Sequence, residues 1–285
     1  YGQGSHLTMA DYWRWFVVHI WVESIFEFFG VAVISLLLVA MGLASARDAL
    51  VVAYFTAAIV FVSGILGTAH HYFWFGGPGF WLGIGGVFSS LEPIPLILLV
   101  VRAWMEYKSI REAGEDFPYR WPLYFLTASS AWNFLGAGVF GFIINLPIIN
   151  YYEHATYLTV NHGHTALFGV YGMLAIALIL FSWRGLVENE HWKDGLLRLS
   201  FWGLNGGLFL MFLTTLLPAI IEKSWSKPVI TPITTMRAMT PTATPATAAR
   251  AETTRCKNPS KNSAGSMSDR DSVVISCTSP RMWCF

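Results

Sequence analysis

Residues 158–183, LTVNHGHTALFGVYGMLAIALILFSW, contain no acidic residue, lysine or arginine. Hydrocarbon roughly 30 Å thick takes about 20 apolar residues in a helix, so this stretch reads as a membrane span. Two of its residues, His162 and His164, fit that solvent poorly. Polar side chains inside a bilayer are costly and mark functional positions, so both rings are expected to have partners.

The rest of the chain agrees with a membrane reading. Of 285 residues, 54% are hydrophobic, 16% aromatic and 12% charged, against about 25% charged in a soluble domain. Six segments are long and apolar enough to span, near 12–43, 48–75, 79–107, 120–146, 156–183 and 193–222. The expected fold is all-α, a polytopic bundle of about six transmembrane helices. Turn or charge signals separate them, among them FGGPG, SIREAGEDFPYR and WRGLVENEHWKDG. Lysines and arginines fall in the first connection (Arg47), the third (Arg102, Lys108, Arg111, Arg120) and the fifth (Arg184, Lys193, Arg198), with none in the second and fourth. The positive-inside rule places the first, third and fifth connections in the cytoplasm.

A formal net charge of +1 and the lack of a basic run exclude a nucleic-acid partner. All three cysteines, Cys256, Cys277 and Cys284, lie in the last thirty residues. The apolar part therefore has no disulfide, thiolate ligand or C-x-x-C-H heme attachment, and a metal there must be held by histidine and carboxylate. The chain opens at Tyr1 with neither methionine nor signal peptide, so it is expected to be a fragment without its start. Two parts are expected: a membrane-embedded domain over 1–225, and a Thr-, Ala-, Pro- and Ser-rich tail over 226–285. Such a composition cannot bury enough surface to offset its ordering entropy, so disorder is expected; the abrupt change also fits a shifted reading frame.

Five histidines lie within spans: His19, His70, His71, His162 and His164. With the orientation above and about 1.5 Å of rise per residue, all five sit roughly 7 to 12 Å below the outer face. Three helices thus deliver imidazoles to one layer, and imidazole is the commonest metal ligand. His70 and His71 point about 100° apart on an α-helix, so with His19 they can converge on one ion, which suits iron, copper or zinc. His162 and His164 point about 200° apart on an α-helix and should serve two different centres. Two flat apolar cofactors, one on each side of the helix, fit that geometry, and heme iron commonly takes an axial histidine. Gly163 and the downstream GVYG leave room beside the backbone.

Carboxylates refine the chemistry. Glu23 follows His19 by four and shares its face, with Glu27 one turn further. Glu92 lies inside the third span, in SSLEPIPL, where Pro93 and Pro95 interrupt the hydrogen-bond ladder. All three are candidate proton donors or ligands. Helix-to-helix hydrogen bonds are the plainer expectation for Asn133 and Asn161, and an equal one for Glu27.

A histidine on one helix, His-His on the next and H-x-H on a later one is the ligand set of the heme-copper oxidase superfamily. The stretches DYWRWFVVHIWVESIFEFF, GTAHHYFWFGGPGFW, VFSSLEPIPL, WNFLGAGVFGFIINLPI and NHGHTALFGVYGM resemble the catalytic subunit of bacterial nitric oxide reductase, particularly its quinol-dependent single-chain form. The likeness runs from about residue 10 to residue 222. It implies that His19, His70 and His71 hold a non-heme iron with Glu23 beside or on it. His162 would be the proximal ligand of the high-spin heme b3, and His164 one axial ligand of the low-spin heme b. Glu27 and Glu92 match carboxylates that steady the iron and deliver protons. The implied partners are nitric oxide, quinol or another electron donor, the lipid bilayer of a bacterial inner membrane, and a missing N-terminal part of the same protein. These six spans match the sixth to eleventh of the family's twelve helices; the low-spin heme's second axial ligand belongs to an earlier helix, so the isolated chain is expected to lack that heme's spectrum. Most oxygen-reducing members carry tyrosine where this chain has Glu23. That difference, with the Glu-Pro of the third span, weighs against the alternative of an oxygen-reducing terminal oxidase. A second alternative is a non-catalytic membrane heme-binding protein. Metal content separates the three.

Overall fold

The computed structural model describes residue 2 and residues 4–154, 156–187 and 192–225. The tail expected over 226–285 lies outside the described residues. Among the described residues, six helices are long and apolar enough to cross a membrane: Leu7–Ala40, Ala46–Phe73, Gly79–Glu112, Arg120–Asn145, Tyr157–Arg184 and Asp194–Thr215. They are the six expected spans, numbered first to sixth below. The first begins at Leu7 rather than near residue 12 because His6 caps it, its Nδ1 accepting the amide of Thr8 at 3.3 Å. The connection after the fourth span contains a short helix, Pro147–Glu153, with proline in its first turn.

The bundle presents apolar side chains outward. Leu36, Phe61, Leu98, Met105 and Leu199 are all exposed, which suits lipid tails. In that solvent helices associate through close packing and polar contacts rather than through exclusion of water. The packed core joins Val31, Ile34 and Leu38 of the first span to Leu96, Leu99 and Ala103 of the third, Leu123, Phe125 and Leu126 of the fourth, and Met173, Leu174 and Ala177 of the fifth. In the first, third and fifth spans these residues lie toward the cytoplasmic end given by the lysine and arginine count. The buried histidines, glutamates and asparagines, including His19, His70, Glu92, Asn133 and Asn161, lie at mid-depth or nearer the opposite end, whereas buried hydroxyls such as Ser35 and Ser129 also occur within the apolar half.

The turns after the first and third spans are built on glycine. Gly42 and Gly114 take φ of 76° and 79°, which glycine reaches without a Cβ clash. Each is followed by a backbone bond reaching back across the last helical turn, Leu43 N to Leu38 O at 2.9 Å and Glu115 N to Ile110 O at 3.2 Å. Ser45 then caps the second span, accepting the Asp48 amide at 3.0 Å. Asp194 fastens the start of the sixth span to that of the fourth, accepting from Arg120 and, at 2.7 Å, from Trp121 Nε1.

Several spans depart from α geometry near the histidine layer. The third breaks after Gly79–Ser89 and resumes as Ile94–Glu112, with Pro93 unable to donate a backbone bond. Three spans widen into π-helix, at Trp21–Phe26, Asn133–Val139 and Leu167–Gly172.

Candidate metal centre

His19 ends the α-helical start of the first span, and the π-turn that follows carries Glu23. In the second span the α-helix gives way at Thr68 to a 3₁₀ segment, Thr68–Phe75. An α-helix would set His70 and His71 about 100° apart. The tighter winding sets neighbours about 120° apart, and Tyr72 leaves helical geometry altogether, with φ −93° and ψ 17°. Both rings nevertheless reach one point, with Nε2 to Nε2 at 2.9 Å.

The donor atoms of His19, Glu23, His70 and His71 lie within 4.8 Å of one another. Glu23 Oε1 is 3.3 Å from His19 Nδ1, 3.4 Å from His70 Nε2 and 4.0 Å from His71 Nε2. Both ring nitrogens of His19 and Nδ1 of His70 are buried without a hydrogen-bond partner. Each such atom costs about 1–3 kcal/mol. Three imidazoles and a carboxylate around one point fit a cation, which takes the lone pairs that protein donors leave unmet.

Neighbouring residues hold the rings in place. Trp15 stacks on His71 with centroids 4.8 Å apart and planes 6° from parallel, and the Arg14 guanidinium lies 4.7 Å over Trp15. Gly67 leaves room for His19, since a Cβ there would come 3.0 Å from Nε2. Ser89 donates its hydroxyl to Glu23 Oε2.

A cleft separates this cluster from the fifth span. Glu23, Glu27, Glu92, Asn133, His162 and Tyr171 are among its lining residues. His162 Nδ1 lies 2.9 Å from the Gly136 carbonyl. Donation there leaves the lone pair on Nε2, the arrangement of a metal-binding imidazole. Gly141 gives the ring its space, because a Cβ at that position would come 2.8 Å from Cε1. His164 is exposed, off the cleft, and its Nδ1 is likewise tied to a carbonyl, Val160 O at 2.8 Å. In both histidines Nδ1 is thus taken up by a backbone carbonyl, with His162 among the residues lining the cleft and His164 off it. Those features suit heme at either position. Gly163 meets open space, whereas Gly169 and Gly172 pack against Trp132 and Phe168.

Glu27 and Glu92 are both buried. Glu27 accepts from Asn133 Nδ2 at 2.8 Å, a helix-to-helix bond of the kind expected for both residues, while also lining the cleft. Glu92 accepts from Ser63 Oγ on the second span. Asn161 donates to Thr215 Oγ1 at 2.8 Å.

A model of the family described as "Cytochrome C and Quinol oxidase polypeptide I" matches residues 3–249. The chain belongs to this family. Members of the oxidase polypeptide I family are membrane-bound oxidoreductases that use heme and metal cofactors. One subunit of the nitric oxide reductase of Stutzerimonas stutzeri is 34% identical over 205 residues, covering 70% of this chain and 42% of that protein. The chain thus spans less than half the length of this relative.

Histidine and glutamate spacing picks out the ligand candidates of this family member, whereas Ser63, Ser89, Trp15 and Tyr171 give no such signal. Serine and aromatic residues are frequent in membrane helices. Nothing in their own spacing separates a residue that steadies a ligand from one that faces lipid.

Proposed function

We propose that the chain forms the reaction centre of a nitric oxide reductase in a bacterial inner membrane, taking electrons from quinol. In this reading His19, His70, His71 and Glu23 hold a non-heme iron, His162 ligates a high-spin heme b3, and His164 supplies one axial ligand of a low-spin heme b. The observation that carries it is Glu23, whose Oε1 stands 3.3 to 4.0 Å from a nitrogen of each of the three histidines. Mixed imidazole and carboxylate donors suit iron better than copper. The likeness to the Stutzerimonas stutzeri nitric oxide reductase over 70% of the chain supports the same branch.

The reaction joins two nitric oxide molecules and, with two electrons and two protons, gives nitrous oxide and water. A dinuclear iron pair supplies templating and polarisation of both molecules at close range. The chain's own groups supply the remainder. Glu92, held by Ser63, and Glu27, held by Asn133, place carboxyl oxygens at the cleft where protons are consumed. Gly136 and Gly141 set the His162 ring at the cleft.

Metal analysis of the purified protein, with nitric oxide consumption and nitrous oxide formation followed together, tests the reading. Non-heme iron with nitrous oxide production supports it. Copper with oxygen uptake would instead make the protein a terminal oxidase, and heme without a second metal would make it a non-catalytic heme protein.

A further inference from the structure

The two carboxylate oxygens of Glu23 have different surroundings. Oε1 faces the imidazoles, while Oε2 accepts the hydroxyl of Ser89, which lies in the last turn of Gly79–Ser89 on the third span. An ionised carboxylate has acceptor capacity on both oxygens and no donor. Left to itself, the side chain could turn both onto one cation. What occupies Oε2 comes from another span, and its position is fixed on two sides. Gly67 of the second span packs beside it, close enough that a Cβ there would come 3.5 Å from the Ser89 Cβ. Immediately after it the chain enters the break before Ile94. Ser90, the next residue, bonds the carbonyl of Val87 at 2.7 Å instead.

We propose that Ser89 is a positioning residue that restricts Glu23 to one metal-facing oxygen and so keeps a ligand position open at the cluster for a small diatomic molecule. The inference rests on the cluster being an iron site. Three imidazoles and one carboxylate oxygen make four protein donors, whereas a chelating carboxylate makes five. For iron taking about six ligands, that is the difference between two open positions and one. Catalytic metal sites keep such positions open, and hydrogen bonds to ligating carboxylates are what orient them. The serine hydroxyl does this without adding charge to the layer.

The test uses the full chain loaded with ferrous iron. Ser89→Ala is compared with the unaltered protein, with Ser89→Thr, which keeps the hydroxyl, and with Ser90→Ala, which removes the neighbouring one. Iron content, ligand number by X-ray absorption at the iron edge, and nitric oxide binding to the ferrous site by paramagnetic resonance are measured together. Ser89→Ala should keep its iron, gain one oxygen ligand and bind nitric oxide about tenfold more weakly, while the other two variants match the unaltered protein. Ligand number and nitric oxide affinity unchanged in Ser89→Ala, with iron bound in both proteins, would overturn the role of Ser89 and leave the iron site standing. An unaltered chain that takes up no iron overturns both. Loss of iron from Ser89→Ala also counts against the inference, because a freed carboxylate should hold the ion at least as firmly. If the alanine variant does not fold, Ser89→Thr against Ser89→Val repeats the comparison at nearly equal volume.

Discussion

At the scale of single residues, the chemistry of this protein sits where lipid-facing neighbours make polar groups expensive: the buried carboxylates have hydroxyl or amide partners, while both ring nitrogens of His19 have none within the protein. Glu23 brings the one negative charge of the cluster to three imidazoles. Glu23→Gln should lower iron affinity by more than the roughly 10- to 100-fold that follows from disturbing only the groups that orient a ligand, and iron content against added chelator measures it. Gly141→Ala pushes a methyl group against His162, whose Cε1 would lie 2.8 Å away. The overpacking costs about 1–3 kcal/mol, and the variant should lose high-spin heme absorbance while its non-heme iron stays. The histidines and glutamates were legible from type and spacing because few other residues make chemical sense at that depth. Ser89 and Ser63 were not, since a serine hydroxyl is cheap enough in a helix to occur anywhere, and only the carboxylate opposite gives it a role.

At the scale of elements, departures from α geometry gather around the cleft. Residues from all three π-helical segments line it: Glu23 from the first, Asn133 from the second and Tyr171 from the third. A π-turn is one residue inserted into an α-helix. Deleting Ser24 should therefore restore α winding and rotate Leu7–Ile20 by about 100° against the rest of its span. His19 would leave the cluster, and binding of ferrous iron by the purified variant should be abolished while helical content by circular dichroism is unchanged. Six spans were readable from hydropathy, with bounds that differ from the observed ones by up to about seven residues. The π and 3₁₀ turns were not, because their residues, such as WVESIF and TAHHYFWF, carry no propensity for those windings. Contacts between spans select them. Gly85 of the third span sits so close to the His70 backbone that a Cβ there would also lie 2.8 Å from the Ala69 carbonyl carbon. That approach accompanies the tightening of the second span at its histidine pair.

At the scale of the whole molecule, charge at the connections orients the bundle and packing divides it by depth. With Cys256, Cys277 and Cys284 replaced by serine, single cysteines placed at Glu115 and Val187 should react with an impermeant maleimide only from the cytoplasmic side, and one at Gly77 only from the outer side. Labelling of intact cells against inverted vesicles checks this, and the reverse pattern would place the histidine layer near the cytoplasm. Sequence by itself determined the solvent and the number of spans, and it predicts their direction and the common depth of the five histidines. Those properties depend on composition and on the fixed rise of a helix, which neighbours hardly alter. Tertiary structure decided which faces meet: that His19, Glu23, His70 and His71 converge, that His162 lines the cleft and His164 lies off it, and that Ser89 takes one oxygen of Glu23. Rotation of a helix about its own axis costs little in lipid, so the packing of small residues and the polar contacts between spans settle it.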